Sequence, residues 1–354
     1  MAGRTAVGLD IGTSAVRAAE LSVGKNSIKL EKFGQVSLPP GAVRDGEVID
    51  RDAVTAAIKR LWAEVKFSTK TVVIGVANQK VVVRQVDLPG MDPAELRRAL
   101  SLQVQDYIPI PVDQAILDFH AIESFTNENG APMLRVLLVA AARETVLATL
   151  EAAQRAGLKV ASVDLTSFAV IRALSDYDQL GVETQAEALI DIGSRVTNIA
   201  VHQGGVPRFV RMLLMGGGDV TDAVAERMGI SLEHAESLKQ SSALAVPGGE
   251  RDDSPAGRVI DAGATAFVEE VRGSLDYYLA SPGAVPIRQI VISGGGSLLG
   301  NLPQRISMAT RLPVVAANPL SQLVIGKTGL STDQLAFIQP LAAVPVGLAM
   351  GVAS

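Results

Sequence analysis

Apolar positions in the chain come first in short runs broken by small residues, then at helical spacing, then in runs again. Residues 4–10, 15–22 and 28–37 predict three strands separated by turns. Residues 50–67 place Val54, Ile58, Leu61, Trp62 and Val65 on one helical face behind Asp50 or Asp52 as cap, and Trp62 reads as core. Strands follow over 71–77 and 80–88. The stretch "MDPAELRRALSLQVQDY" opens a helix with Asp92 as cap, Pro93 at the first helical position and Glu95 completing a capping-box-like pattern. Leu96, Ala99, Leu100 and Val104 form its apolar stripe. Strands 115–122 and 133–141 lead to a helix ending at Gly157. From 158 the order restarts with a strand at 159–165, a helix at 166–176, strands over 189–202 and 206–214, and a glycine turn opening a helix at 216–229. A helix at 231–241, a polar loop at 247–257, a long helix near 259–280, a strand at 288–296 and a helix from near Leu298 complete it. Strands and helices alternate in both halves, which predicts an α/β fold.

One unit occurs twice. Residues 8–21 read "GLDIGTSAVRAAEL" and residues 189–202 read "LIDIGSRVTNIAVH", so Asp10 and Asp191 each end an apolar strand before an Ile-Gly-hydroxyl turn. Their separation is too long for a solenoid and marks a duplicated supersecondary unit. Two such hairpins face to face make a clamp. Gly12 and Gly193 let backbone N–H groups approach an anion, and Thr13, Ser14 and Ser194 add hydroxyl donors. Asp10 and Asp191 would repel a bare phosphate, so a cation must lie between, and Mg²⁺ with its retained waters fits two carboxylates plus phosphate oxygens. Each hairpin alone reads equally well as an ordinary turn. The stretches "GGGDVTDAV" (216–224) and "SGGGSLLGNLP" (293–303) each follow a strand and open a helix, suited to phosphate or ribose. Four small-residue turns paired across a duplication point to a nucleotide.

Composition narrows the picture. A chain of 354 residues suggests about two domains. Its 48% hydrophobic and 19% charged residues make it globular rather than disordered. With no cysteine there is no disulfide, thiolate metal site or cysteine nucleophile. A net charge of −5 argues against general nucleic-acid binding. "MAGRTAVGLD" runs straight into the first strand, so no signal peptide is expected. The apolar tail at 340–354 is shorter than the ~20 residues of a spanning helix and lacks a basic face, so membrane contact is expected only through a partner. Two motifs are decoys. Gly326-Lys327-Thr328 ends like a P-loop, but Ser321 stands where its first glycine belongs. The residues after Gly12 look like a strand, where a dinucleotide fingerprint needs a helix. His120, His202 and His234 show no metal spacing.

The two "DIG" hairpins and the later glycine turns resemble the actin–Hsp70–sugar kinase superfamily across nearly the whole chain. Within it, "ALSLQVQDYIPIPVDQAILDFHAI" (99–122), "VAAARETVLATLEAAQRAGL" and "VDLTSFAVIRAL" resemble the PilM family, actin-like cytoplasmic proteins of type IV pilus assembly that are similar to the division protein FtsA. The resemblance implies an actin-like ATPase fold of duplicated ribonuclease-H-like domains with an FtsA/PilM-type inserted subdomain. It assigns 1–80, 158–186 and 330–354 to a first core subdomain and 81–157 to the partner-binding insertion. It assigns 187–222 with 285–329 to a second core subdomain, and 223–284 to a small outer one. ATP and Mg²⁺ are the implied cofactors, with Asp10 and Asp191 holding Mg²⁺ through waters and Gly12, Thr13, Ser14, Gly193 and Ser194 on phosphates. Arg17 either reaches a phosphate or is an exposed strand arginine. Gly216, Gly217 and Gly218, with Gly294, Gly295, Gly296 and Ser297, would wall the nucleotide. Glu236 and Lys239 match the helix that touches ribose and adenine, or are an ordinary solvated pair. Asp164 matches the position that orients the attacking water, but a shorter Asp where relatives often carry Glu or Gln leaves at most a slow ATPase.

The implied function is an ATP-binding scaffold of the pilus inner-membrane assembly platform. It would be cytoplasmic and peripheral to the inner membrane. Its implied partners are the cytoplasmic N-terminal peptide of PilN and other inner-membrane and motor components, with self-association also open. The peptide would lie in a groove beside the insertion, where Pro109 and Pro111 favour an extended surface segment. Tyr107, Ile108 and Ile110 equally well fill the module's core. The alternatives are an FtsA-like division protein, whose amphipathic tail is missing here, or a small-molecule kinase, whose substrate pocket is not evident.

Overall fold

A computed structural model of the chain describes residues 4–25, 27–175, 185–242, 244 and 252–351. The first three residues, 247–251 of the polar loop, the tail beyond 351 and the 176–184 seam lie outside the described residues.

The chain opens with the meander β1 (Arg4–Ile11), β2 (Ala15–Val23) and β3 (Ile28–Ser37), then a small hairpin of β4 (Val43–Arg44) and β5 (Glu47–Val48). Helix α1 (Arg51–Val65) follows, capped by Asp50, whose carboxylate accepts the Ala53 N–H at 2.9 Å. Next come β6 (Thr71–Val76), β7 (Val81–Pro89), α2 (Pro93–Gln103), β8 (Ala115–Thr126), β9 (Pro132–Ala142), α3 (Arg143–Arg155), β10 (Lys159–Leu165) and α4 (Thr166–Leu174). The second half runs β11 (Ala186–Ile192), β12 (Thr197–Gln203), β13 (Val206–Leu213), α5 (Gly217–Met228), α6 (Leu232–Ser241), α7 (Pro255–Leu279), β14 (Ile287–Ser293) and α8 (Leu302–Thr310). The chain continues through β15 (Val314–Ala316), β16 (Val324–Ile325), α9 (Thr332–Ile338) and α10 (Ala343–Met350).

The duplication is structural. One sheet has the order β10-β6-β1-β2-β3-β16 and the other β13-β12-β11-β14-β15. In each, three antiparallel meander strands are followed by two parallel ones, β6 and β10 beside β1, and β14 and β15 beside β11. Helices α1 and α3 cover one face of the first sheet, burying Val7, Leu9, Val16 and Ala18 against Ile58, Leu61 and Ala152. The other face packs on α10, and beyond it lies a cluster in which Val344 and Leu348 of α10 and Ala169 to Ile171 of α4 meet Leu189, Ala200 and Val210 of the second sheet. Gly8 makes this contact possible, since a Cβ there would stand 2.0 Å from the Pro345 carbonyl oxygen. Every residue of β11 is buried, as befits a central strand covered on both faces. Strand alternation then puts Asp10 on the α10 face of its sheet and Asp191 on the α4 face of the other, so the duplicated carboxylates face inward at the strand ends.

The insertion is a three-stranded sheet, β7-β9-β8, with α2 on one face over Val86, Leu88, Val136 and Leu138. Three placements differ from the sequence reading. Helix α3, read with 81–157, packs through Ala148, Ala152 and Ala153 into the first core, because its apolar stripe faces α1. β16, read within 285–329, pairs with β3 at the edge of the first sheet. No α-helix begins at Leu298: a 3₁₀ turn covers Gly295–Leu298, and α8 starts only after Asn301, which is in the left-handed region (φ 63°). Trp62 packs half-buried against the first core, its ring 4.8 Å from that of Phe67 and tilted to it by 48°.

Candidate functional site

The two aspartates meet at the mouth between the sheets. Asp10 is paired across the hairpin with Arg17, whose guanidinium is 3.6 Å from its carboxylate and also contacts Gln35 at 3.3 Å. Burial pushes the Asp10 carboxyl up from its ordinary value, and Arg17 opposes that. Asp191 is 9% exposed and accepts the Ser293 hydroxyl at 2.7 Å. Burial raises its carboxyl to about 6, the Ser293 bond pulling it down and the nearby Asp10 charge pushing it further up. That repulsion is the electrostatic mark of two carboxylates sharing one space without enough countercharge. Among the described residues no cluster of three or more carboxylate or imidazole ligands forms a ready-made metal cage.

Both turns close alike. The Gly12 N–H donates to the Ala15 carbonyl and the Gly193 N–H to the Val196 carbonyl, each at 3.0 Å. Arg17 reaches into the first turn, its guanidinium lying 3.4 Å from where a Gly12 Cβ would stand, so it is no remote strand arginine. Thr13 is half-buried and Ser14 exposed at the turn's tip, with the Ser14 carbonyl accepting the Leu38 N–H at 2.9 Å.

The glycines at 216–218 do something other than offer amides. The Gly216 N–H goes to Asp219 at 2.7 Å, Gly217 to the Gly193 carbonyl at 3.0 Å and Gly218 to the Ser194 carbonyl at 2.7 Å. A Cβ on Gly216 would stand 2.4 Å from the Gly193 oxygen. These glycines therefore let the start of α5 stack on the second turn, and their N–H groups are already committed. Arg195 fixes the same junction, bonding Asp219 at 2.8 Å and pairing with Asp222. Nothing in the sequence motif announced it.

Around the start of α5, Lys239 donates to the Gly217 carbonyl at 2.8 Å, to Thr221 at 2.9 Å and to Glu236 at 2.7 Å. Burial pushes the Glu236 carboxyl up, but hydrogen bonds from Lys239 and Thr221 outweigh it and hold it below its ordinary value. This is a partly buried network rather than a solvated pair. The turn at 294–297 closes the wall. Gly294 has φ 81° and donates to the Pro340 carbonyl at 2.7 Å, and Gly296 packs so close that a Cβ would meet Ile192 at 2.4 Å. Gly295 lies in the same turn, and the Ser297 hydroxyl donates to the Gly294 carbonyl at 2.7 Å. The Cα of Gly296 is 3.5 Å from the Cβ position of Gly217, so the two glycine turns adjoin.

Asp164 lies near the end of β10 beside Gly75 of β6, the strand next to β1, but bonds to neither turn. Its carboxylate pairs with Arg172 of α4, which also donates to the Gly347 carbonyl at 3.0 Å, and accepts the Leu165 N–H at 2.8 Å. None of these partners belongs to either hairpin turn. The decoy at 326–328 follows an edge strand and binds back through Gly326 to the Leu30 carbonyl at 2.8 Å, and the next helix, α9, opens only at Thr332 instead of at the lysine.

On the insertion, a groove of about 650 Å³ runs between the end of α2 and the extended segment after it, lined by Ser101, Gln105 and residues 108–113. Ile108 is buried in the insertion core, while Ile110 and Val112 pack partly against it and keep a face in the groove. Tyr107 is exposed and fills no core.

A family model described as type IV pilus assembly protein PilM matches residues 8–352. The chain belongs to the PilM family. The solved PilM–PilN type IV pilus biogenesis complex superposes on this PilM-family chain with a TM-score of 0.85 at 27% identity, covering 99% of this chain and 98% of that one. The division protein FtsA of Neisseria meningitidis is 28% identical over 352 residues, 88% of this chain and 83% of FtsA. FtsA of Bacillus subtilis is 25% identical over 66% of this chain, which spans only 57% of that relative's length. MreB5 of Spiroplasma citri bound to ADP superposes with a TM-score of 0.53 at 15% identity, covering 97% of this chain and 94% of that one, a likeness of fold. The fold is that of the actin-like ATPases, and among the described residues no single helix of this PilM-family chain is long and apolar enough to cross a membrane.

Proposed function

We propose that the cleft binds ATP with Mg²⁺ and that the nucleotide-loaded chain acts as a scaffold at the pilus assembly platform. The observation that carries this is the facing pair Asp10 and Asp191, both with raised carboxyls, each at the head of a glycine turn. A divalent cation supplies the countercharge that Arg17 alone does not. Two carboxylates plus waters and phosphate oxygens suit Mg²⁺. The residues that would hold it are Asp10 and Asp191, through water, and its chemistry there is neutralisation of phosphate charge. Arg17 and the hydroxyls of Thr13, Ser14 and Ser194 serve phosphate oxygens, and Glu236 and Lys239 the ribose side. The ADP carried by the MreB5 structure supports the same use of the fold.

Turnover is proposed to be slow. The Asp164 carboxylate is engaged in an ion pair with Arg172, which competes with holding an attacking water. The groove at 108–113 is proposed to take an extended apolar peptide from the cytoplasmic N-terminus of PilN. The solved complex and the groove's mixed apolar floor support that. The chain then sits at the cytoplasmic face of the inner membrane through its partner. The test is a melt with ATP and Mg²⁺ together against each alone. The proposal expects stabilisation only with both, and none with both overturns it.

A further inference from the structure

One row of cross-strand partners crosses the second sheet: Ser293 beside Asp191, Asp191 beside Asn198, Asn198 beside Met212. Partners directly opposite share a face. This is the face of Leu189, Ala200 and Val210, packed on α4. At one end the Ser293 hydroxyl holds the Asp191 carboxylate. In the middle, buried Asn198 accepts the Ser167 hydroxyl of α4 at 3.4 Å. At the far end Met212 packs on the cluster that Val81 and Ala141 of the insertion form with Val76 and Leu165, where Val83, Val139 and Phe168 also pack. His120 of β8 lies 6.1 Å from the Phe168 ring at the same seam. Alternation along β7 and β9 puts Val81, Val83, Val139 and Ala141 on one face of the insertion sheet. The groove-bearing core of Val86, Val136, Leu138, Leu100 and Ile108 lies on the other. A single β-layer therefore separates Met212 from the core that carries the groove, whose Ile108 lines it. β13, which carries Met212, also runs directly into the glycine turn stacked on Gly193 and Ser194.

We infer that this row couples the cleft to the groove: occupation of the Asp191 end shifts Met212 against the insertion sheet and changes the groove's affinity for its peptide, with Met212 as the positioning residue. Close-packed interiors pass displacement from layer to layer rather than absorbing it. The coupling is reciprocal, so peptide must change nucleotide affinity by the same factor. The inference rests on the nucleotide and peptide readings above.

The test uses the full chain, ATP with Mg²⁺ followed by calorimetry, and a synthetic peptide of the cytoplasmic N-terminus of the PilN encoded in the same genome, followed by fluorescence anisotropy. Peptide affinity is expected to differ by about fivefold or more between nucleotide-saturated and nucleotide-free chain, and ATP affinity to change by the same factor with peptide present. Met212→Ala should leave each separate affinity within about twofold while removing most of the coupling, and Met212→Leu should restore it. ATP and peptide both binding without affecting each other overturns the coupling alone, as does full coupling in Met212→Ala. No ATP binding, or no peptide binding, overturns that reading and the coupling with it.

Discussion

Replacing Asp191 by Asn should make the ligand-free protein more stable and a worse nucleotide binder. Burial sets the Asp191 carboxyl at about 6 against an ordinary 3.8. Below pH 4 the side chain is protonated folded and unfolded, and costs nothing. Between about pH 4 and 6 the unfolded chain ionises while the native site still holds its proton. Native stability falls across that window, and above it the loss is constant. At ~1.4 kcal/mol per pH unit, the gap amounts to about 3 kcal/mol at neutral pH. Asparagine keeps an oxygen to accept the Ser293 hydroxyl and carries no charge, so Asp191→Asn should recover much of that amount near pH 8 and almost none near pH 4. Asp10, raised in the same direction, leaves a residual slope of the same sign. The assay is urea unfolding of both proteins at about pH 4 and pH 8, with ATP and Mg²⁺ added in a second series. A variant no more stable than wild type at pH 8, or one with an unchanged pH slope, refutes the reasoning. So does a variant that keeps Mg²⁺-dependent stabilisation by ATP.

Saturating ATP and Mg²⁺, at about 100 times the dissociation constant, should stabilise the wild-type fold by about 2.7 kcal/mol, read as a rise in melting temperature. Gly216→Ala should destabilise by about 1–3 kcal/mol in urea, because its Cβ would stand 2.4 Å from the Gly193 carbonyl oxygen. Lys239→Ala should weaken ATP binding about tenfold by calorimetry, since it strips the Gly217 carbonyl, Thr221 and Glu236 of a shared donor. Lys327→Ala should change nothing. Ile110→Glu should abolish binding of the PilN peptide while leaving the ATP melt shift intact, and wild-type peptide affinity in that variant would put the groove elsewhere. ATP turnover should fall well below about 1 s⁻¹, the lower end of common enzyme rates, and Asp164→Ala should leave it unchanged.

The paired aspartates were legible because the same strand, carboxylate and glycine turn recur in one chain, and a duplicated fold places duplicated ends face to face. What the glycines at 216–218 do was not legible. A glycine run before a helix reads as an anion cradle, yet here the missing Cβ atoms serve close stacking and the amides are consumed by Gly193, Ser194 and Asp219. Asp164 sits where the motif suggests, but Arg172 on the following helix claims its carboxylate, a tertiary event with no local signal. Ser293, Asn198 and Thr221 carry no motif of their own, and their roles exist only through cross-strand register or helix contact. Helix α10 was read as an apolar tail because all eight of its residues are buried, which erases the helical period. The β4–β5 hairpin was missed because its strands are two residues each.

The most direct measurement is a crystal structure of the full chain grown with a non-hydrolysable ATP analogue and Mg²⁺. Density for the phosphates between the turns at Gly12 and Gly193, with a metal whose water shell touches Asp10 and Asp191, is the predicted result. Nucleotide bound elsewhere, or phosphates seated in that cleft with no cation between them and the two carboxylates, would contradict it.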